Sequence, residues 1–231
     1  MTAGPSGLER KPVFAANGVV ATSQPLAASS GLAALRRGGN AVDAAVAAAV
    51  TLTVVQPGSN DIGGDLFALV WRDGELVGLN ASGHSPVALT RERALEQQVD
   101  GRMQTRGWTP VTVPGAPAGW RDLHERFGAL PFADLFTDAI GYAERGYPVS
   151  PTVARHWQRA VKTHATLRGP EFTAWTGVFA PDGRTPAPGE RFRNPAAART
   201  LRLLAETGAE AFYRGEVAEA LHRQAEATGG W

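Results

Sequence analysis

The chain has 231 residues, enough to bury a sizeable core as one large domain or two small ones. Hydrophobic residues make up 43% and charged residues 19%, and 23 basic side chains against 22 acidic ones leave a net charge of +1, so nothing argues for nucleic acid or a membrane surface as partner. The absence of cysteine excludes disulfides, thiolate nucleophiles and cysteine-based zinc sites.

Residues 1–10 are polar and rich in Gly, Pro and charge, and read as a flexible N-terminus with no apolar segment of the signal-peptide kind. The longest apolar run, Ala41 to Val55, is interrupted by Asp43 and two threonines and is too short to span a bilayer. The expected location is the cytoplasm, or the periplasm or exterior if a leader has been removed.

Gly18 to Ser23 is β-rich between turn formers and predicts a strand. Pro25 suits a first helical position, Leu26 to Arg37 reads as a helix with cations in its last turn, and Gly38-Gly39 end it. Asn40 can cap a second helix, with Asp43 in the place of a capping-box acid. Val42, Ala45, Val46, Ala49, Val50 and Val54 recur there at helical spacing, and the small alanines predict a helix buried between layers. Leu66 to Trp71 and Leu76 to Asn80 flank Arg72-Asp73-Gly74-Glu75, the signature of a β-hairpin turning at Asp-Gly. Further helices are predicted over Ala118–Phe127, Phe132–Arg145, Pro151–His164, Pro195–Ala205 and Gly215–Ala227, with breaks at Val113-Pro114-Gly115 and Ala187-Pro188-Gly189.

No self-contained catalytic set appears. The five histidines form no metal-ligand spacing, no GxSxG elbow is present, and Ile62-Gly63-Gly64-Asp65 precedes a strand and lacks the lysine of a phosphate loop. No metal and no cofactor is predicted. On the residues alone the reading stops at an α/β domain.

Several blocks nevertheless resemble one family in the right order. They are Val20-Ala21-Thr22-Ser23-Gln24-Pro25-Leu26-Ala27, Gly38-Gly39-Asn40-Ala41-Val42-Asp43-Ala44-Ala45, Val55-Gln56-Pro57 and Ile62-Gly63-Gly64-Asp65-Leu66-Phe67. Val113-Pro114-Gly115 with Gly119-Trp120, Tyr142 to Val149, Pro188-Gly189-Glu190 and Ala211-Phe212-Tyr213-Arg214-Gly215 follow. Together they are similar to the opening of γ-glutamyltransferases, and the likeness runs from about residue 11 to 231 as an incomplete domain, the N-terminal portion of a large subunit. The resemblance implies an α/β (α+β) fold, a helix-rich part of the four-layer αββα sandwich of the N-terminal-nucleophile hydrolases. It implies a precursor that cuts itself into two subunits, the new N-terminal threonine of the small subunit being the nucleophile and its α-amino group a possible base. It also implies no catalytic residue in this chain, a small-molecule amide as substrate, and the remaining large-subunit segment and the small subunit as partners. Thr163-His164 is a superficial decoy for the processing site, since it sits in a helical pattern.

Members active on glutathione carry an arginine after the hairpin that pairs with the glutamyl α-carboxylate, a two-oxygen anion that suits a planar guanidinium. The matching stretch here is Asn80-Ala81-Ser82-Gly83-His84-Ser85-Pro86, with Ser82 in the arginine's place and His84 two residues on. Serine cannot supply the charge. His84 is either a substrate contact or a simple hydrogen-bond former. A Ser-Gly motif at this point resembles members acting on other amides, so Ser82 and His84 are the candidate substrate-binding residues. Two readings of the chain stand: part of a γ-glutamyltransferase-like amidohydrolase or acyltransferase, or a truncated non-catalytic fragment serving as a structural or interaction partner.

Overall fold

Helix α1 (Pro25–Arg36) starts where the Gln24 side chain accepts from the Leu26 amide and proline occupies the first turn. It lies along α2 (Ala41–Val55), the two meeting through fully buried small residues such as Ala27 and Ala34. The capping box at the start of α2 is present: Asn40 Oδ1 accepts from the Val42 and Asp43 amides, and Asp43 Oδ2 accepts from the Asn40 amide at 2.8 Å. The same pair also holds a distant segment. Asp43 is fully buried and accepts from the Ala129 amide at 3.1 Å, while Asn40 Nδ2 donates to the Phe127 carbonyl. A local helix start thereby becomes a tertiary clasp.

The hairpin follows as β1 (Leu66–Arg72) and β2 (Glu75–Ala81), antiparallel from Leu66↔Ala81 to Arg72↔Glu75. Asp73 (φ 52°) and Gly74 (φ 83°) are both left-handed, as a type I′ turn requires. Leu66, Ala68, Val70 and Leu79 pack on the core, whereas Phe67, Leu69, Trp71 and Leu76 on the other face are 59–77% exposed. Among the described residues the sheet has two strands, so β1 keeps one edge unpaired.

The rest is mainly helical: α3 (Arg91–Glu96), α4 (Ala116–Phe127), α5 (Thr137–Arg145), α6 (Pro151–His164), α7 (Thr173–Phe179), α8 (Pro195–Thr207), α9 (Glu210–Arg214) and α10 (Glu216–Thr228). Strands β3 (Tyr147–Pro148) and β4 (Arg191–Phe192) pair as a two-residue clip. Trp120 of α4, Phe136, Ala139 of α5 and Leu201 and Leu204 of α8 share one core with Val50 and Val54 of α2. Tyr147 crosses that core to donate to the Val54 carbonyl at 2.8 Å. Among the described residues no helix is long and apolar enough to cross a membrane.

This computed structural model describes residues 12–231, so the reading of 1–10 as a flexible N-terminus lies outside the described residues. Two expectations are corrected. The strand predicted over Gly18–Ser23 is absent: the segment has no ladder partner among the described residues, and without a partner a β-rich run is only a coil. The helix predicted over Phe132–Arg145 is broken into a 3₁₀ turn (Phe132–Phe136) followed by α5. Its tighter winding, with the Thr137 amide bonded to the Asp134 carbonyl, brings the Phe132 and Phe136 rings edge-on at 4.9 Å and sends Phe136 into the core. The predicted burial of α2 holds on most of its surface, but Ala45 is exposed and, with Ala49 and Thr53, faces a cavity of about 660 Å³ shared with β1.

Candidate functional site

Ser82 and His84 lie where the hairpin ends and the chain crosses the turn that opens α4. The crossing is close enough to dictate the residue types. A Cβ on Gly83, whose φ is +79°, would fall 1.8 Å from the Val113 carbonyl oxygen. One on Gly115 would fall 2.0 Å from the Ala81 carbonyl oxygen. Only two glycines let these backbones pass.

The crossing is stitched by polar contacts. The Val113 amide donates to the His84 carbonyl at 2.8 Å, and Thr112 Oγ1 donates to the Ser82 carbonyl at 3.1 Å. The Ser82 amide donates to Asn80 Oδ1 at 3.0 Å. The Gly115 and Ala116 amides both donate to the Gly64 carbonyl, tying the Ile62-Gly63-Gly64 loop to the same turn. Behind the turn, the half-buried Tyr213 hydroxyl donates to the Pro114 carbonyl at 2.7 Å and accepts from the Ala118 amide at 3.0 Å. Burial pushes this phenol above its usual pKa, so it remains a neutral donor.

The backbone of Ser82–His84 is therefore fixed while its side chains are free. Among the described residues no hydrogen bond engages the Ser82 hydroxyl or the His84 ring, Ser82 is partly exposed, and His84 is exposed. Both remain available to a ligand. The 660 Å³ cavity is lined by α2, β1 and α4, with Ser59, Asn60, Asp61 and Asp65 giving it polar atoms, and neither Ser82 nor His84 lines it. Among the described residues no group of three His, Asp or Glu side chains converges on a metal position.

The decoy pair Thr163-His164 ends α6. His164 stacks on Trp175 with centroids 4.4 Å apart and planes 7° from parallel, and burial holds its pKa below the ordinary value. The Thr163 carbonyl accepts from Thr166. The pair is packing and helix termination. Sequence reasoning missed Thr112 and Tyr213 as supports of the site. Tyr213 lay within a recognised block and Thr112 just before one, but partners 30 to 99 residues apart leave no periodic signal.

The sequence profile described as Gamma-glutamyltranspeptidase matches residues 27–231. The oxamate amidohydrolase proenzyme of Klebsiella pneumoniae is 41% identical over 214 residues, covering 89% of this chain and 39% of that protein. The crystal structure of a cephalosporin acylase from Bacillus halodurans superposes with a TM-score of 0.93 at 47% identity, over 99% of this chain and 43% of the other. A γ-glutamyltranspeptidase from Pseudomonas nitroreducens, complexed with L-DON, gives a TM-score of 0.81 at 33% identity, over 94% and 63%. The chain thus spans about two fifths of the length of the curated relative.

Proposed function

The chain belongs to the γ-glutamyltranspeptidase family, and from that premise we propose that it is the N-terminal part of the large subunit of an N-terminal-nucleophile amidohydrolase or acyltransferase. Its fold is a helix-rich α+β part of the N-terminal-nucleophile hydrolase fold. In this reading the rest of the precursor supplies the catalytic threonine. The threonine hydroxyl attacks the amide carbon, its own α-amino group accepts the proton, and backbone amides hold the oxyanion. The ammonium so formed protonates the departing amine, and water or an acceptor amine then takes the acyl group from the enzyme. The same remainder covers the open apolar face of the hairpin, where Phe67, Leu69, Trp71 and Leu76 are all exposed side by side.

The contribution of this chain is substrate selection. The observation that carries the reading is the Ser82-Gly83-His84 segment, held rigidly by its backbone with its side chains free, where glutathione-active members are expected to carry an arginine. A γ-glutamyl group carries an α-carboxylate that loses water on binding. Without a charge-assisted partner that anion costs about 1.5–3 kcal/mol, or about 10- to 150-fold in affinity. The full enzyme is accordingly a poor glutathione hydrolase and acts on small amides without that carboxylate. The Klebsiella and Bacillus relatives, an oxamate amidohydrolase and a cephalosporin acylase, are named for amides other than glutathione.

The test is kcat/KM of the processed full-length protein on γ-glutamyl-p-nitroanilide and on a carboxylate-free anilide, with wild type and Ser82→Arg. The arginine should favour the γ-glutamyl substrate by about 10-fold or more over the other. Equal effects on both substrates, or efficient glutathione hydrolysis by the wild type, would overturn the reading and make His84 the next residue to change.

A further inference from the structure

We propose that Tyr213 is the positioning residue of the selectivity segment, holding Ser82–His84 in place through the turn that opens α4; this rests on the reading of Ser82 as substrate-facing. The argument begins with a conflict at Gly115. This residue is the N-cap of α4, where Ser, Thr, Asp or Asn would normally accept a bond from a first-turn amide. No such side chain fits, because a Cβ there would lie 2.0 Å from the Ala81 carbonyl oxygen. The close passage of the hairpin exit therefore deprives α4 of its own cap.

Tyr213 makes good that loss from 95 residues away, accepting from the Ala118 amide at 3.0 Å and donating to the Pro114 carbonyl at 2.7 Å. One hydroxyl thus ties together the turn and the helix it begins. The next links are Val113 to the His84 carbonyl and Thr112 to the Ser82 carbonyl. Each link joins backbone to backbone or a short side chain to backbone, so little slack separates the phenol from Ser82.

The placement of Tyr213 is itself over-determined. Gly208 (φ +57°) and Ala209 (φ +66°) turn the chain from α8 into α9 through two consecutive left-handed residues, and at Ala209 that conformation is strained. The Ala209 amide nonetheless bonds to the Leu204 carbonyl at 2.8 Å and the residue is fully buried. Arg121 of α4 meets Glu210 of α9 at 2.8 Å on the outside. Strain at Ala209 is thus tolerated where it aims Tyr213 at the turn.

The experiment uses the processed full-length enzyme with Tyr213→Phe, which keeps the ring and removes the hydroxyl. Tyr147→Phe is the control, as it deletes another tyrosine-to-carbonyl bond far from the segment. Hydrogen exchange of peptides covering residues 81–86 and 112–118 should accelerate in Tyr213→Phe and stay unchanged in Tyr147→Phe. In the Ser82→Arg background, Tyr213→Phe should remove about 3- to 10-fold of the gained carboxylate preference, through KM rather than kcat, and Tyr147→Phe should remove none. Unchanged exchange in both peptides overturns the positioning role whatever the kinetics. Faster exchange with a Ser82→Arg variant that shows no carboxylate preference overturns instead the reading of Ser82. Faster exchange with a preference that survives Tyr213→Phe overturns the coupling between latch and selectivity. If Tyr213→Phe fails to mature, exchange of the same two peptides is read on the unprocessed wild-type and variant precursors, where faster exchange supports the positioning role and unchanged rates overturn it.

Discussion

Two regions of this molecule carry their apolar side chains in different patterns and end differently in structure. The helices around Trp120 bury their apolar stripes against one another, and Trp120 itself is 2% exposed. The hairpin is apolar on both faces and finds cover for one, leaving Trp71 70% exposed. An amphipathic helix needs one partner surface, which its neighbours in the chain can supply. A strand with side chains alternating between two apolar faces needs two. The helical part is thus satisfied by its own residues, while the hairpin is built for company.

The two tryptophans and a tyrosine between them can break or sharpen this contrast. Trp120→Ala should cost the 231-residue chain about 3–5 kcal/mol in urea denaturation, through lost burial and the cavity left beside Phe136. A loss under about 1 kcal/mol would show that the helical core is not tightly packed. Tyr147→Phe should cost about 1–2 kcal/mol at neutral pH, because the buried Val54 carbonyl loses its donor. Burial also raises the Tyr147 pKa above the usual 10.0, so its contribution is full below pH 10 and declines as pH rises further and the unfolded phenol ionises. The gap between wild type and variant should therefore narrow above pH 10, and a gap constant from pH 7 to 11 would contradict the assignment. Trp71→Ala should change the stability of this chain by no more than about 0.5 kcal/mol. In the full-length precursor the same change should cost several times more. Equal small effects in both would mean that nothing covers this face.

Legibility in the sequence divides along physical lines. Structures closed within a few residues were readable: the Asn40–Asp43 capping box, the hairpin turning at Asp73-Gly74, and the proline-initiated starts of α1, α6 and α8. Each is a local contest that residue chemistry decides. The supposed strand at Gly18–Ser23 was not decidable locally, since a strand exists only with its neighbour. The short α7 and α9 and the β3–β4 clip have too few residues to show a period. For the site, the serine in the arginine's place stood out by resemblance. The two-glycine crossing that fixes it, and the Tyr213 hydroxyl behind the crossing, depend on which backbones meet, and no spacing encodes that.

The partners of α2 come late in the chain. Asn40 reaches the Phe127 carbonyl across 87 residues, Val54 waits 93 for Tyr147, and Pro57 waits 100 for Trp157. At a synthesis rate of about 5–20 residues per second, α2 leaves the ribosome roughly 5–20 s before the side chains that close over it. During that interval a helix rich in Ala and Val has α1 and the hairpin beside it but lacks its later helical partners. The order of emergence thus makes this early helix a point at which a nascent chain is open to capture by a chaperone, and slower translation through residues 57–147 would lengthen the opening.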